Sequence, residues 1–165
     1  MNYKIMLLLI FFSANVFADP PHVLAQLPSQ QLRIGDVVEI PLNIFSEEME
    51  IVSFAVELKF DPSLVRLMDV FAGLTPMFND KPMYRLIDSH TISITGSARS
   101  FGAQQKIINV ANLKFELISE SSKPRFELLQ AGPTVRKQDF TAVDALYSVE
   151  GEMDLYNFIF DAGFE

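Results

Sequence analysis

The chain has 165 residues, a formal net charge of −8 and no cysteine. This length suffices for one domain and hardly for two, and the lack of cysteine excludes disulfides, thiolate metal sites and cysteine nucleophiles. The basic residues are few and scattered, which argues against nucleic-acid binding because phosphates are neutralised by clustered lysine and arginine.

The first 18 residues have the pattern of a signal peptide. Lys4 supplies a positive start, residues 5–12 are apolar, and Ala18 is the small residue at the predicted cleavage position. The apolar run is too short to cross a hydrocarbon core of about 30 Å, so we expect no transmembrane anchor in the mature chain. Loss of Lys4 leaves 12 basic against 21 acidic residues, a formal charge of −9. We therefore predict an exported bacterial protein, either periplasmic or extracellular.

Alternation of apolar and polar residues predicts β-strands in the first half of the mature chain. Residues 22–27 are predicted as a short first strand. Residues 36–45 follow, and Pro41 places this strand at an edge or at a bulge because proline donates no ladder hydrogen bond. The strand over 51–60 is predicted to bury Val52, Phe54, Val56, Leu58 and Phe60 and to expose the residues between them. The turn Asp61-Pro62-Ser63 ends it.

The middle of the chain is less regular. Residues 64–71 return to extended structure. Residues 74–89 are rich in proline and polar residues, so we expect a long connection or a broken strand there. Residues 91–98 form a clear strand pattern with Ile92 and Ile94 on the buried side.

The last third of the chain is predicted to form further strands. Over residues 107–118 the apolar phase changes, which indicates a bulge near Ala111-Asn112. Residues 125–130 are predicted as a strand that turns at Gly132-Pro133. Over residues 143–155, mainly apolar residues recur at every second position, which indicates a hairpin or one long bent strand. Short strands at this spacing, without a helical period, predict an all-β sandwich.

Four segments match a known pattern: GDVVEIPLNI at 35–44, VSFAVELKFDPSLV at 52–65, ISITGSA at 92–98 and VANLKFEL at 110–117. Together they resemble the cohesin family of β-sandwich modules and the wider carbohydrate-binding-module-like group. A strand that runs into an Asp-Pro turn is the most distinctive of the four. The sequence departs from the family at Asn109, where the family commonly has a glycine.

The resemblance implies a single jelly-roll β-sandwich domain of about nine strands over residues 19–155, after the signal peptide at 1–18 and before a C-terminal tail at 156–165. It also implies a non-catalytic module without a cofactor, which binds a protein partner through the flat outward face of a sheet. In cellulosomes such modules bind dockerins, but the resemblance does not identify the partner of this chain.

The candidate binding residues are outward-facing polar side chains of the two clearest strands. They are Ser53, Glu57, Lys59, Ser93 and Thr95. The alternative for the same residues is an ordinary hydrated sheet face without a partner.

Two other binding functions stay open. A carbohydrate-binding module would need exposed aromatic rings for stacking on a polysaccharide, and the chain has no tryptophan and only Tyr84, Tyr147 and Tyr156 as tyrosines in its mature part. A structural subunit of a surface assembly would use strand addition, either at the edge suggested by Pro41 or through the apolar tail.

Other reactive residue types fit structural roles better than catalytic or metal-binding ones. His22 and His90 are predicted as surface or capping residues, because no pattern of carboxylates converges on both. Asp61 is expected to cap its turn rather than bind calcium. The acidic segment 47–50 is predicted as a solvated loop, with a weak calcium site as the alternative. No Gly-x-Ser-x-Gly motif is present, and we predict that the chain is not an enzyme.

Overall fold

The computed structural model describes residues 20–46, 49–99, 101–136, 141–143 and 145–155. The predicted signal peptide and C-terminal tail therefore lie outside the described residues. The strands are β1 (His22–Gln26), β2 (Gln31–Leu32), β3 (Val37–Phe45), β4 (Ile51–Phe60), β5 (Val65–Ala72), β6 (Met83–Leu86), β7 (Thr91–Ser97), β8 (Ile107–Leu117), β9 (Phe126–Val135), β10 (Leu146–Glu150) and β11 (Asp154–Leu155), with a 3₁₀ turn at Pro76–Phe78. Within these ranges no helix has the length and apolar character needed to cross a membrane.

Two sheets face each other as a jelly-roll β-sandwich, which confirms the predicted fold. The first has five strands in the order β10-β1-β3-β8-β5, and the second has four in the order β6-β7-β4-β9. These nine strands match the expected number, and β11 and β2 form a separate short pair. Neighbouring strands are antiparallel except for β1 with β10 and β2 with β11, which are parallel.

The core is built from the inward faces of both sheets. In β3 the alternation is complete, since Val38, Ile40, Leu42 and Ile44 are buried. Three phenylalanines join the sheets: the ring centroid of Phe115 on β8 lies 5.2 Å from that of Phe60 on β4 and 5.0 Å from that of Phe126 on β9. Both pairs are edge-to-face, a favourable geometry for aromatic rings.

The predicted bulge in β8 is confirmed, and it lies next to the pair that Pro41 forms with Asn112. Leu42 pairs with Ala111 and Asn43 pairs with Asn109, which leaves Val110 without a partner on β3. Val110 and Ala111 are consecutive and both buried, so the extra residue shifts the apolar phase. β3 lies between β1 and β8 and is therefore not an edge strand, but its described pairing with β1 covers only Leu42 to Phe45 and does not reach Pro41.

Asn109 organises the backbone beside this bulge. Its side-chain oxygen accepts a hydrogen bond from the backbone N–H of Leu74 at 2.7 Å, and its side-chain nitrogen donates to Asn43 Oδ1 at 3.0 Å. Its own N–H donates to Thr75 Oγ1 at 3.0 Å. The residue that departs from the cohesin pattern therefore holds the loop after β5 against β8.

Asn109→Ala is expected to lower the free energy of unfolding by about 1–3 kcal/mol, because the amide hydrogen bonds of a half-buried site lose their partner. Urea unfolding followed by circular dichroism measures this change. Asn79→Ala is the control, since Asn79 is exposed and surface substitutions usually change stability by no more than about 0.5 kcal/mol. Equal stability of both variants would contradict the role given to Asn109.

The start of β4 does not follow the predicted alternation. Ile51 pairs with Val135 and Ser53 with Thr134, so Val52 is an extra residue in this strand. As a result Ile51 is fully buried and Val52 only half-buried, the reverse of the prediction. From Phe54 onward the predicted inward residues are buried.

The turn predicted at Gly132-Pro133 is wrong. β9 continues through both residues to Val135, and Pro133 pairs with Phe54 of β4. An edge strand needs ladder hydrogen bonds on one side only, so it accommodates proline more easily than a central strand.

The hairpin or long strand predicted over 143–155 is also wrong. β10 lies beside β1 in the five-stranded sheet, whereas β11 pairs with β2. Gly151, with a φ angle of +91°, separates them and lies against the Leu27 carbonyl. Glycine adopts this left-handed conformation at little energetic cost, which explains why the chain changes direction at this residue.

Candidate binding face

The five predicted binding residues lie together on the outward face of the four-stranded sheet, which we call the binding face because it is the candidate surface for a partner. β4 and β7 are neighbours in this sheet, and Glu57 pairs directly with Ser93. Thr95 pairs with Ala55, one step along the same face. Lys59 lies at one end of the face and Ser53 at the other.

The outer strands contribute residues that the sequence pattern did not predict. On β6, Met83 pairs with Thr95 and Arg85 with Ser93. On β9, Gln130 pairs with Glu57 and Gly132 with Ala55. The face therefore consists of cross-strand rows, such as Arg85–Ser93–Glu57–Gln130, with strands about 4.8 Å apart.

These additions were missed because the flanking strands were not fully recognised from sequence. β6 falls within the segment 74–89, which was predicted as a connection or a broken strand, and it is only four residues long. β9 was predicted to end at Gln130. The four residues Met83-Tyr84-Arg85-Leu86 are all exposed and do not alternate between apolar and polar, so β6 carries no clear strand pattern in the sequence.

The binding face combines small polar side chains in the middle with larger exposed ones at its margins. Met83 is 76% exposed on β6, and Leu129 is 39% exposed at a bulge of β9 opposite Glu57 and Leu58. The outward rows contain no aromatic side chain in the described strands. Tyr84 alternates with Met83 and Arg85 along β6 and therefore lies on the other side of this strand. Its hydroxyl donates to Asp69 Oδ1 on β5 at 3.2 Å.

Charge on the face is balanced and weakly paired. Lys59 Nζ lies 3.8 Å from Glu127 Oε2, and both side chains are more than half exposed. An ion pair of this kind contributes about 0–1 kcal/mol, so Lys59 can exchange this partner for another at little cost. Arg85 is exposed and has no ion-pair partner among the described residues.

The Ser53 end of the face opens into a cavity of about 520 Å³. Arg99 forms a bidentate ion pair with Asp80 at its rim. The hydrogen bond from Arg99 holds the pKa of the Asp80 carboxyl below its ordinary value. Gly96 also lines this cavity. A residue without a Cβ is needed at this position because a Cβ would lie 2.5 Å from the Phe54 ring.

The histidines have local hydrogen-bond partners and lie apart from each other. His22 Nε2 lies 2.8 Å from Ser148 Oγ, between β1 and β10. His90 Nδ1 lies 2.8 Å from Ser89 Oγ, in the turn before β7. Across the described ranges no group of three or more histidine, aspartate or glutamate side chains is placed to hold a metal ion.

Asp61 caps its turn as predicted. Its Oδ1 accepts hydrogen bonds from the backbone N–H of Ser63 at 2.9 Å and from the Ser63 hydroxyl at 2.6 Å. The hydroxyl bond is the main reason why the pKa of Asp61 lies below its ordinary value.

In the acidic segment, Glu50 has structural partners: its Oε1 accepts from the Gly102 N–H at 2.8 Å and lies 3.1 Å from Arg136 Nε. Glu47 and Glu48 lie outside the described residues. Glu50 therefore fixes the loop at Gly102 rather than standing in a solvated loop.

Comparison with known proteins finds no matching family model and no matching curated sequence. Solved structures do match. A cohesin module from a family 33 glycoside hydrolase of Clostridium perfringens superposes with a TM-score of 0.69 over 82% of this chain and 96% of that module, at 14% identity. The chain has a cohesin-like fold.

Other cohesins support the same conclusion. The match from a type I cohesin–dockerin complex of Clostridium thermocellum has a TM-score of 0.65 at 14% identity and covers 83% of this chain and 99% of that one. A non-cellulosomal cohesin from the archaeon Archaeoglobus fulgidus has a TM-score of 0.60 at 15% identity and covers 84% and 93% of the two chains. Matches at 14–15% identity show that this chain shares the architecture of these cohesins.

Proposed function

We propose that this cohesin-like chain is an exported, non-catalytic module that binds a protein partner through the binding face. The observation that carries the proposal is the outward surface of β6-β7-β4-β9, which is broad, open and free of aromatic rings in its described rows. Its centre includes Ala55, Ser93 and Thr95, whose short side chains allow a partner backbone to approach closely beside Glu57.

The margins of the face provide contacts that a protein surface can use. Met83 and Leu129 offer exposed apolar area at the two opposite edges of this face, on β6 and β9. Arg85 offers a guanidinium that has no ion-pair partner among the described residues, and this group binds carboxylates with two parallel hydrogen bonds. Solved cohesins that share this fold include several in complex with a dockerin protein, which supports a protein as the partner class.

A polysaccharide fits the face less well. Sugar rings bind to proteins largely by stacking on aromatic side chains, and the exposed tyrosines of the described part of the chain lie elsewhere. Tyr84 is directed towards β5, and Tyr147 lies on β10 of the other sheet. Carbohydrate binding is therefore an alternative outcome of the experiment below.

The test is affinity capture with the mature chain, residues 19–165, from the extracellular and periplasmic fractions of the source organism. A captured protein is identified, purified and titrated against the chain by calorimetry. Ala55→Arg places a long charged side chain at the centre of the face and is expected to weaken binding at least tenfold.

Ile107→Arg is the matched control, because Ile107 is a half-exposed residue of β8 in the other sheet. It should leave the affinity unchanged. Equal binding by both variants would place the partner on another surface. Retention on insoluble polysaccharide without any protein partner would overturn the proposal.

A further inference from the structure

The edge strand β6 has one side to which no other described strand is bonded. It pairs with β7 at the end of the four-stranded sheet, and all four of its residues are exposed. The opposite edge of this sheet is partly covered, because the N–H of Val135 on β9 donates to the Thr141 carbonyl and the N–H of Val143 donates to the Pro133 carbonyl. An uncovered strand edge is a template on which another chain can pair.

The backbone N–H and C=O groups of Tyr84 and Leu86 point away from β7. The N–H of Ile87 donates to the carbonyl of Thr91 at 2.8 Å, which identifies these two residues as a hydrogen-bonded pair of the antiparallel ladder. Such pairs alternate along a ladder, so every second residue before Ile87 bonds to β7 and the residues between them do not. β6 therefore offers free donors and acceptors along its outer side.

Two apolar rows of the inner face of the sheet end uncovered at β6. Leu58, Ile92 and Leu86 are neighbours in one row, and the first two are 0% exposed whereas Leu86 is 57% exposed. In the next row Ile94 is 0% exposed and its neighbour Tyr84 is 40% exposed. A further strand beside β6 would continue both rows and remove apolar surface from water, which favours association.

Arg85 determines which charge the added strand should carry. Its side chain lies on the binding face, is exposed and has no ion-pair partner among the described residues. Residues 83–87 contain no acidic side chain. Opposite charges directly across two paired strands stabilise the pairing, so an acidic residue opposite Arg85 complements this edge.

A second copy of this chain complements the edge less well. In the two-fold antiparallel pairing that bonds Tyr84 to Leu86 of the other copy, the two Arg85 residues lie directly opposite each other. Like charges in this position are destabilising. The charge of the edge therefore favours a different protein as the source of the added strand.

We propose that β6 accepts an extended segment of another protein as a fifth strand of the four-stranded sheet. The segment bonds to the free backbone groups of Tyr84 and Leu86, places apolar side chains beside both residues, and places an aspartate or glutamate opposite Arg85. In this mode of binding, main-chain hydrogen bonds provide affinity and alternate side chains provide specificity. The proposal goes beyond the binding face, because the backbone at the edge of the sheet holds the partner.

The probe is a phage-displayed library of random linear peptides, selected on the mature chain, residues 19–165. We expect the selected sequences to alternate apolar and polar residues, with aspartate or glutamate at one polar position. A selected peptide is synthesised and titrated by calorimetry. In NMR, its binding should slow hydrogen exchange of the Tyr84 and Leu86 amides, because these N–H groups gain ladder partners.

Leu86→Pro tests the backbone contact. It removes the outward N–H, which is not used in the pairing with β7, so the edge strand should tolerate it. We expect peptide binding to weaken at least tenfold. Leu86→Val is the matched control, since it keeps both the N–H and an apolar side chain and should change the affinity little. Thermal unfolding confirms that both variants are folded.

Arg85→Glu tests the charge contact. It should weaken binding of the acidic peptide at least tenfold, and a peptide with lysine in place of the acidic residue should regain the affinity. Arg125→Glu is the matched control, because Arg125 is another exposed arginine with no ion-pair partner among the described residues.

Four results would overturn the proposal. They are a selection without the alternating acidic pattern, equal binding to Leu86→Pro and Leu86→Val, unchanged exchange at Tyr84 and Leu86, and no rescue of Arg85→Glu by the lysine peptide. A dimer in light scattering that Leu86→Pro converts to a monomer would also overturn it, because a second copy would then occupy the edge.

Discussion

Replacing Phe115 by alanine is expected to lower the free energy of unfolding by about 3–5 kcal/mol. Phe115 is fully buried and is the ring through which β8 contacts both Phe60 and Phe126. Its removal leaves a void between the two sheets and deletes two edge-to-face contacts. Since a typical domain is stable by about 5–15 kcal/mol, this one change would remove a large part of the total.

The change is measured by urea unfolding at equilibrium, with the slope of the transition checked for two-state behaviour. Phe71→Ala is the control, because Phe71 is 40% exposed on β5. We expect it to cost much less than Phe115→Ala. Similar losses in both variants would show that the phenylalanine cluster does not hold the sheets together.

Gly73→Ala is expected to be the most disruptive single-methyl change in the described part of the chain. A Cβ at Gly73 would lie 2.1 Å from the carbonyl oxygen of Asn109, and 2.7 Å from the Val110 carbonyl carbon. Both atoms belong to the backbone at the β8 bulge, so no side-chain rotation can relieve the clash. Overpacking of this kind costs about 1–3 kcal/mol and sometimes more.

Gly132→Ala provides the matched control, since nothing lies within 4 Å of a Cβ at that position. It should leave stability unchanged or raise it by about 0.4–1 kcal/mol, because alanine restricts the unfolded chain. Thermal unfolding of the two variants side by side separates a steric effect from a general cost of losing glycine. A stable Gly73→Ala variant would contradict the close approach of the β5 loop to β8.

The sequence predicted strands well where a single buried face sets a regular alternation. Residues 54–60 and β7 follow this pattern, and the phase change near Ala111 identified the bulge in β8. The pattern failed where a bulge or a neighbouring strand changes the environment. Ile51 and Val52 exchange their burial because Val52 is the extra residue, and Pro133 is tolerated because β9 is an edge strand.

Pairing between strands that are far apart in the sequence cannot be predicted from the local pattern of apolar residues. Nothing in residues 146–150 indicates that they pair in parallel with β1, because the partner is more than 120 residues away. For the same reason the binding face was only half predicted. β4 and β7 were recognised from their alternation, whereas Arg85 and Gln130 joined the face only when the order of strands in the sheet was known.

The parallel pairing of β1 with β10 determines how the fold responds to mechanical tension. Force applied where the chain enters β1 and where it leaves β10 pulls these two neighbours along their length in opposite directions. All hydrogen bonds from His22–Leu146 to Gln26–Glu150 then bear the load together, as in shear, instead of opening one after another. A module tethered at these two points would resist extension through this pair of strands.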